Sequence, residues 1–112
     1  MTTIVVLVVA ALVVVVTLTP YAFPRTVSDR EARADGRPII YWRPGCSYCL
    51  RLRFALGPLG RRAVWVNIHR DEDAAARVRS VNGGNETVPT VFVDDGHRTN
   101  PPPSWVRERL NR

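Results

Sequence analysis

Residues 43–49, Arg-Pro-Gly-Cys-Ser-Tyr-Cys, decide the fold of this 112-residue chain. They lie between an apolar run at 38–42 that predicts a buried strand and a segment at 48–56 that predicts a helix. At a helix start, unpaired backbone N–H groups and the positive end of the helix dipole stabilise a thiolate. The stretch therefore predicts a reactive thiol at Cys46. It also predicts a second thiol at Cys49, one turn deeper, that can close a disulfide with the first.

Composition limits the other functions that the chain can have. The 16 basic residues are all arginine, the net charge is +6, and ten acidic residues are interleaved with the arginines. Nucleic-acid binding needs a clustered basic face, so this pattern predicts a solvated basic surface and no nucleic-acid partner. The two cysteines form one Cys-x-x-Cys, which is too few for a secreted disulfide scaffold. The pair is therefore chemical or half of a metal site.

The N-terminal region predicts a membrane anchor. Residues 4–18 are apolar and uncharged, and with their flanks they reach about 20 residues, enough to cross a bilayer core. We therefore expect residues 1–23 to be a retained, single-pass transmembrane helix in the cell membrane. Arginines follow this run and none precedes it. Because basic residues favour the cytoplasmic side of a membrane helix, we expect the N-terminus outside and the catalytic domain in the cytoplasm. Residues 24–36 are expected to form a polar linker, and residues 37–112 one small domain.

The domain shows alternating strand and helix patterns. Further strands are predicted at 63–68 and 90–93, with a hairpin turn at 94–96 after the last of them. Asp71 can cap a helix that ends at 82–84, and Ser104 can cap a last amphipathic helix. The order β-α-β-α-β-β-α in so few residues predicts an α/β sandwich with a mixed sheet.

A second motif, Val88-Pro89-Thr90, comes directly before the strand at 90–93, where a proline cannot donate to the sheet. Together with the Cys-x-x-Cys, it supports a resemblance to a known family. Residues 41–52 resemble the active-site segment of glutaredoxins. Residues 80–91, Ser-Val-Asn-Gly-Gly-Asn-Glu-Thr-Val-Pro-Thr-Val, resemble the mycoredoxins, glutaredoxin relatives of bacteria that use mycothiol, and residues 99–101 resemble their tail. The resemblance implies a thioredoxin-like, glutaredoxin-type fold for the domain.

The resemblance also implies the roles of the site residues. Cys46 would be the nucleophile and Cys49 the resolving thiol. In thioredoxin-like folds the proline at position 89 is cis and faces the cysteines, and the backbone beside it pairs with the substrate like an added strand. Arg43 would add positive potential near the thiolate. The expected substrate-binding residues are Arg43, Tyr48, Thr87, Val88 and Pro89.

This chain departs from the family pattern beside the nucleophile. Gly45 stands where glutaredoxins usually carry an aromatic residue, which predicts an open entrance beside Cys46. The Gly-Gly-x-Asp motif that helps glutaredoxins hold glutathione is missing after Val93. The resemblance to mycoredoxins implies mycothiol rather than glutathione as the small-thiol co-substrate, and we expect no bound cofactor or metal.

The predicted function is a monomeric thiol–disulfide oxidoreductase that reduces protein–mycothiol mixed disulfides through Cys46. One alternative is a dithiol electron donor to a dedicated enzyme, such as a ribonucleotide or peroxide reductase. Another is zinc binding by the two cysteines with His69 and His97, which would supply the four ligands of a structural site. A [2Fe–2S] cluster that bridges two copies through Cys46 is a further alternative.

Overall fold

The computed structural model describes residues 1–18 and 23–112, and its centre is a four-stranded mixed sheet. Strand β1 (Ile39–Trp42) pairs in parallel with β2 (Val64–Asn67) and antiparallel with β3 (Thr90–Val93), which pairs antiparallel with β4 (Gly96–Thr99). The spatial order is β2-β1-β3-β4. The predicted α/β architecture with a mixed sheet is confirmed.

Five α-helices lie within the described residues. They are α1 (Thr2–Leu18), α2 (Asp29–Asp35), α3 (Ser47–Leu56), α4 (Glu72–Val81) and α5 (Pro103–Leu110). Short 3-10 helices at Gly57–Arg62 and Ile68–Arg70 connect α3 to β2 and β2 to α4. From β1 to α5 the elements follow the predicted order.

The pairing register assigns the helices to the two faces of the sheet, because directly opposed residues point to the same side. Ile40 lies opposite Trp65, whose indole N–H donates to the carbonyl of Gly60 at 2.8 Å in the segment after α3. Tyr41 points to the other face, where its hydroxyl contacts Asp29 of α2 and accepts from Arg77 of α4. All four residues of β1 are buried, since helices cover both of its sides.

Local capping signals set several helix ends. As predicted, Asp71 caps α4: its Oδ1 accepts from the backbone N–H of Ala74 at 3.1 Å. The predicted cap at Ser104 is wrong, because α5 begins at Pro103 and has Pro102 as its N-cap, without a side-chain hydrogen bond. Proline is already shaped for the first helical position, so the helix starts two residues earlier than a cap at Ser104 would give.

The segment 24–36, predicted as a polar linker, contains α2 and is packed on the sheet. Thr26 forms a parallel bridge with Trp65, and Ser28 caps α2 by accepting from the N–H of Glu31 at 3.1 Å. Ala32 is fully buried and Asp29 is 2% exposed. Just before this segment, the ring of Phe23 stacks on Trp42, the last residue of β1, at a centroid distance of 3.9 Å. The chain ahead of β1 therefore adds to the domain core.

The predicted transmembrane helix is not found. Helix α1 covers residues 2–18 of the predicted anchor. Within residues 1–18 and 23–112, no helix is both long and apolar enough to cross a bilayer. Residues 19–22 of the predicted anchor lie outside the described residues. The cytoplasmic placement of the domain stays a prediction.

Candidate active site

Cys46 occupies the N-cap of α3, at the point where the loop from β1 turns into the helix. Its backbone is extended (φ −85°, ψ 112°), and its sulfur accepts a hydrogen bond from the N–H of Cys49 at 3.2 Å. The preceding Gly45 has φ +81°, a left-handed conformation that favours glycine. Apart from its chain neighbours Pro44 and Cys46, a Cβ built on Gly45 would meet no atom within 4 Å. The space beside the sulfur is therefore open, as the sequence predicts.

The two thiols differ in burial and in acidity. Both are free, with Cys46 half-buried and Cys49 at 0% exposure. A hydrogen bond from the Cys49 thiol lowers the pKa of Cys46, and the N–H groups of Cys49 and Tyr48 lower it further against the opposing effect of burial, to about 6. The hydrogen bond to Cys46 and burial raise the pKa of Cys49. At neutral pH the arrangement favours a thiolate on Cys46 and a thiol on Cys49.

The origin of this acidity differs in part from the sequence-based expectation. The sequence predicts two influences on the Cys46 thiolate, the helix start and the charge of Arg43. The largest lowering of the Cys46 pKa comes instead from the Cys49 thiol, and the backbone N–H groups follow. Arg43 contributes least of the favourable interactions because it is exposed to solvent, which screens its charge.

The loop before β3 forms the opposite wall of the site. The Val88–Pro89 peptide bond is cis, and the sulfur of Cys46 lies 3.5 Å from the carbonyl oxygen of Val88. Pro89 is fully buried, and Thr87 on its outer side is exposed. The structure thus brings the backbone of Val88 next to the thiol, where a bound peptide can pair with it.

Two polar residues to which the sequence analysis assigned no role in the site hold this wall in place. Thr90 Oγ1 donates to the carbonyl of Thr87 at 2.7 Å and accepts from the amide of Asn82 at 3.2 Å. Asn82 Oδ1 in turn accepts from Thr99 Oγ1 at 2.6 Å. The sequence analysis interprets Asn82 as a helix end and as part of the 80–91 resemblance, without a hydrogen-bonding role. Its role depends on β4 lying beside β3, which a local pattern does not reveal.

The remaining predicted site residues lie at the rim. Tyr48 is 54% exposed on the first turn of α3, and the guanidinium of Arg51 lies 5.8 Å from its ring centroid. Arg43 and Thr87 are exposed on the loops either side of the sulfur. The structure therefore gathers Cys46, Cys49, Val88 and Pro89 at the centre, with Arg43, Tyr48 and Thr87 around it.

The zinc alternative finds no support in the side-chain geometry. In the part of the chain that the structure describes, no three His, Cys, Asp or Glu residues are grouped so that they could hold a metal ion. His97 stacks on Phe92 at 5.3 Å on β4, and His69 is exposed after β2. The two histidines do not join the cysteines.

Comparison with known proteins decides the family. The glutaredoxin family model matches residues 39–98, just over half of the chain. This chain belongs to the glutaredoxin family. A glutaredoxin-named protein of Mycobacterium tuberculosis strain H37Rv is 46% identical over 72 residues, which are 63% of this chain and 86% of the relative.

Two further relatives carry the family names. Mycoredoxin 1 of Corynebacterium glutamicum is 43% identical over 63 residues, 55% of this chain and 77% of its own. Glutaredoxin 1 of Salmonella typhimurium is 31% identical over 81 residues, 65% of this chain and 93% of its own. The chain is therefore a glutaredoxin-family thiol–disulfide oxidoreductase with a thioredoxin-like fold, and the family implies a small-thiol co-substrate.

Proposed function

We propose that this glutaredoxin reduces mixed disulfides between proteins and mycothiol. The observation that supports this best is the asymmetry of the two thiols: Cys46 is half-buried with its pKa lowered to about 6, and Cys49 is fully buried with its pKa raised. One sulfur can therefore attack and receive a thiol from outside, which is what a one-cysteine transfer requires.

The proposed reaction uses Cys46 alone. Its thiolate attacks the mycothiol sulfur of the mixed disulfide; the S–S bond breaks, and the protein leaves as a thiolate that takes a proton from water. Cys46 is then joined to mycothiol by a disulfide. A second mycothiol thiolate attacks the mycothiol sulfur of that disulfide, releases mycothiol disulfide and restores the Cys46 thiolate. Each step exchanges one S–S bond for another, so no other oxidant or reductant is needed.

Two features favour mycothiol over glutathione. The chain is similar to mycoredoxin 1, and residues 80–91 carry the pattern of that subfamily. Gly45 also leaves open the space beside Cys46 that an aromatic side chain fills in most glutaredoxins. A bulkier thiol can reach the sulfur through this opening.

A second candidate is a dithiol donor to a dedicated reductase. It is favoured by the closeness of the two cysteines: the sulfur of Cys46 accepts from the backbone N–H of Cys49 at 3.2 Å, and a hydrogen bond from the Cys49 thiol lowers the pKa of Cys46. Attack by Cys49 on a Cys46 mixed disulfide would close an intramolecular disulfide and release the bound partner.

The monomeric state and the cytoplasmic location also stay predictions.

A comparison of two matched substrates tests the proposal. We expect the purified chain to reduce a mycothiolated peptide at least about tenfold faster than the same peptide carrying glutathione, a difference of about 1.4 kcal/mol in the barrier. Rates are measured from release of the peptide thiol, with the small thiol itself as the reductant in each case. Equal rates, or faster reduction of the glutathionylated peptide, would contradict mycothiol as the preferred partner.

A further inference from the structure

The solvent-facing side of α3 is unusually apolar next to the nucleophile. Among the described residues outside α1, the large hydrophobic side chains that are exposed are Tyr48 (54%) and Phe54 (61%), both on α3. Residues three or four apart share a helix face. Tyr48, Arg51 and Ala55 are exposed at that spacing, and Phe54 lies beside them. We call these four residues, with Pro58, the α3 strip, and it starts two residues after Cys46.

The far end of the α3 strip opens into a basic cavity. This cavity has a volume of about 330 Å³ and is lined by Arg53, Phe54, Gly57, Pro58 and Arg61, none of them acidic. The surrounding sequence also carries only positive charge, because residues 36–70 contain seven arginines and no Asp or Glu. The cavity therefore combines an exposed aromatic ring with uncompensated positive charge.

The guanidinium group of Arg53 in this cavity lacks a hydrogen-bond partner for one of its buried donors. Its Nη1 donates to the carbonyl of Gly57 at 2.8 Å, but its Nε is buried and has no hydrogen-bond partner. Burial, and then the neighbouring charge of Arg61, lower the pKa of Arg53. A carboxylate placed between the two guanidinium groups would offset their mutual repulsion, and ionised partners make the strongest hydrogen bonds to arginine.

We propose that the α3 strip and its basic cavity dock the protein that carries the mixed disulfide, through an acidic side chain bound between Arg53 and Arg61. This inference rests on the proposed function, and charge complementarity selects the occupant. From Cys46 to Phe54 the helix rises about 12 Å. An extended chain advances about 3.3 Å per residue. The acidic residue therefore lies about four residues from the cysteine of the substrate.

Matched peptides test this docking surface. Each peptide has one cysteine, with either Glu or Gln four residues away from it on both sides. The cysteine forms a mixed disulfide, and each peptide is prepared once with mycothiol and once with glutathione. At low salt we expect kcat/KM to be about tenfold higher for the Glu peptide, and the advantage to shrink as salt screens the charges. Arg61→Gln should remove most of that advantage, whereas Phe54→Ala should lower kcat/KM for both peptides by a similar factor. Neither should change reduction of the small disulfide of 2-mercaptoethanol.

Arg30→Gln is the matched control. Arg30 is exposed on α2, and it lines a cavity with Arg77 and Phe92 on the opposite face of the sheet. This variant loses the same charge and should keep the full preference for the Glu peptide. Equal rates for the Glu and Gln peptides would overturn the docking site while leaving the proposed function intact. The same holds if Arg30→Gln and Arg61→Gln lose the preference for the Glu peptide to the same extent. Failure to reduce any of the mixed disulfides would overturn both.

Discussion

Replacing Cys46 by serine should abolish reduction of mixed disulfides, a loss of roughly a thousandfold or more, as expected when a nucleophile is removed. A serine hydroxyl is not ionised near neutral pH and does not exchange with a disulfide. Cys49→Ser should keep most of the activity. Cys49 is fully buried with a raised pKa, so it stays a protonated donor to Cys46, and a serine hydroxyl can make the same hydrogen bond. The rate of peptide thiol release, measured for each variant, gives the comparison.

Cys49→Ala provides the matched control, because alanine removes the donor as well as the sulfur. We expect it to be less active than Cys49→Ser at pH 6–7, where the lost hydrogen bond leaves more of Cys46 protonated. If Cys49→Ser were inactive toward mixed disulfides, the second sulfur would be needed for chemistry. The dithiol donor would then be the better account.

Asp29→Ala should lower the free energy of unfolding by about 2–3 kcal/mol, within the range for losing a buried, hydrogen-bonded charge. The carboxylate of Asp29 accepts from the hydroxyl of Tyr41 and, at 2.7 Å, from Nε of Arg33. Burial and then the hydrogen bond to Asp29 raise the pKa of Tyr41 to about 12, so the phenol remains a donor at neutral pH. The substitution would leave the buried hydroxyl without its acceptor and loosen α2 from the sheet. Urea unfolding followed by tryptophan fluorescence measures the loss.

Asp35→Ala on the same helix is the control. Asp35 pairs with Arg37 at the surface, where ion pairs contribute little, so we expect this variant to unfold close to the wild type. If Asp29→Ala were no less stable than Asp35→Ala, then α2 would not be part of the cooperative core. The segment before β1 would then behave as the linker that its composition predicts.

The sequence predicts the elements with local signals well. The Asp71 cap, the strand at 90–93 and the turn from Cys46 into a helix are all found, because capping groups, apolar runs and turn residues act over a few positions. The open space beside Cys46 also follows from one residue, Gly45. These features need no knowledge of what lies across the fold.

What the sequence does not reveal depends on partners far along the chain. The charge of Asp29 predicts an exposed linker, yet Tyr41 and Arg33 provide hydrogen-bond partners that allow its burial. Asn82 holds the loop of Pro89 only because β4 brings Thr99 to it. The Cys49 thiol outweighs the backbone N–H groups in lowering the pKa of Cys46, which requires the side-chain geometry. In each case the missing information is a tertiary contact.

The rate at which iodoacetamide alkylates the wild-type protein, measured against pH, tests the central claim that the fold activates Cys46. The pKa of Cys46 is lowered to about 6, so the thiolate and the alkylation rate should be small below that pH, rise through it and level off near pH 7. Peptide mapping should place the label on Cys46 ahead of the buried Cys49. A midpoint near the free-thiol value of about 8.5 would mean that the fold does not activate this sulfur.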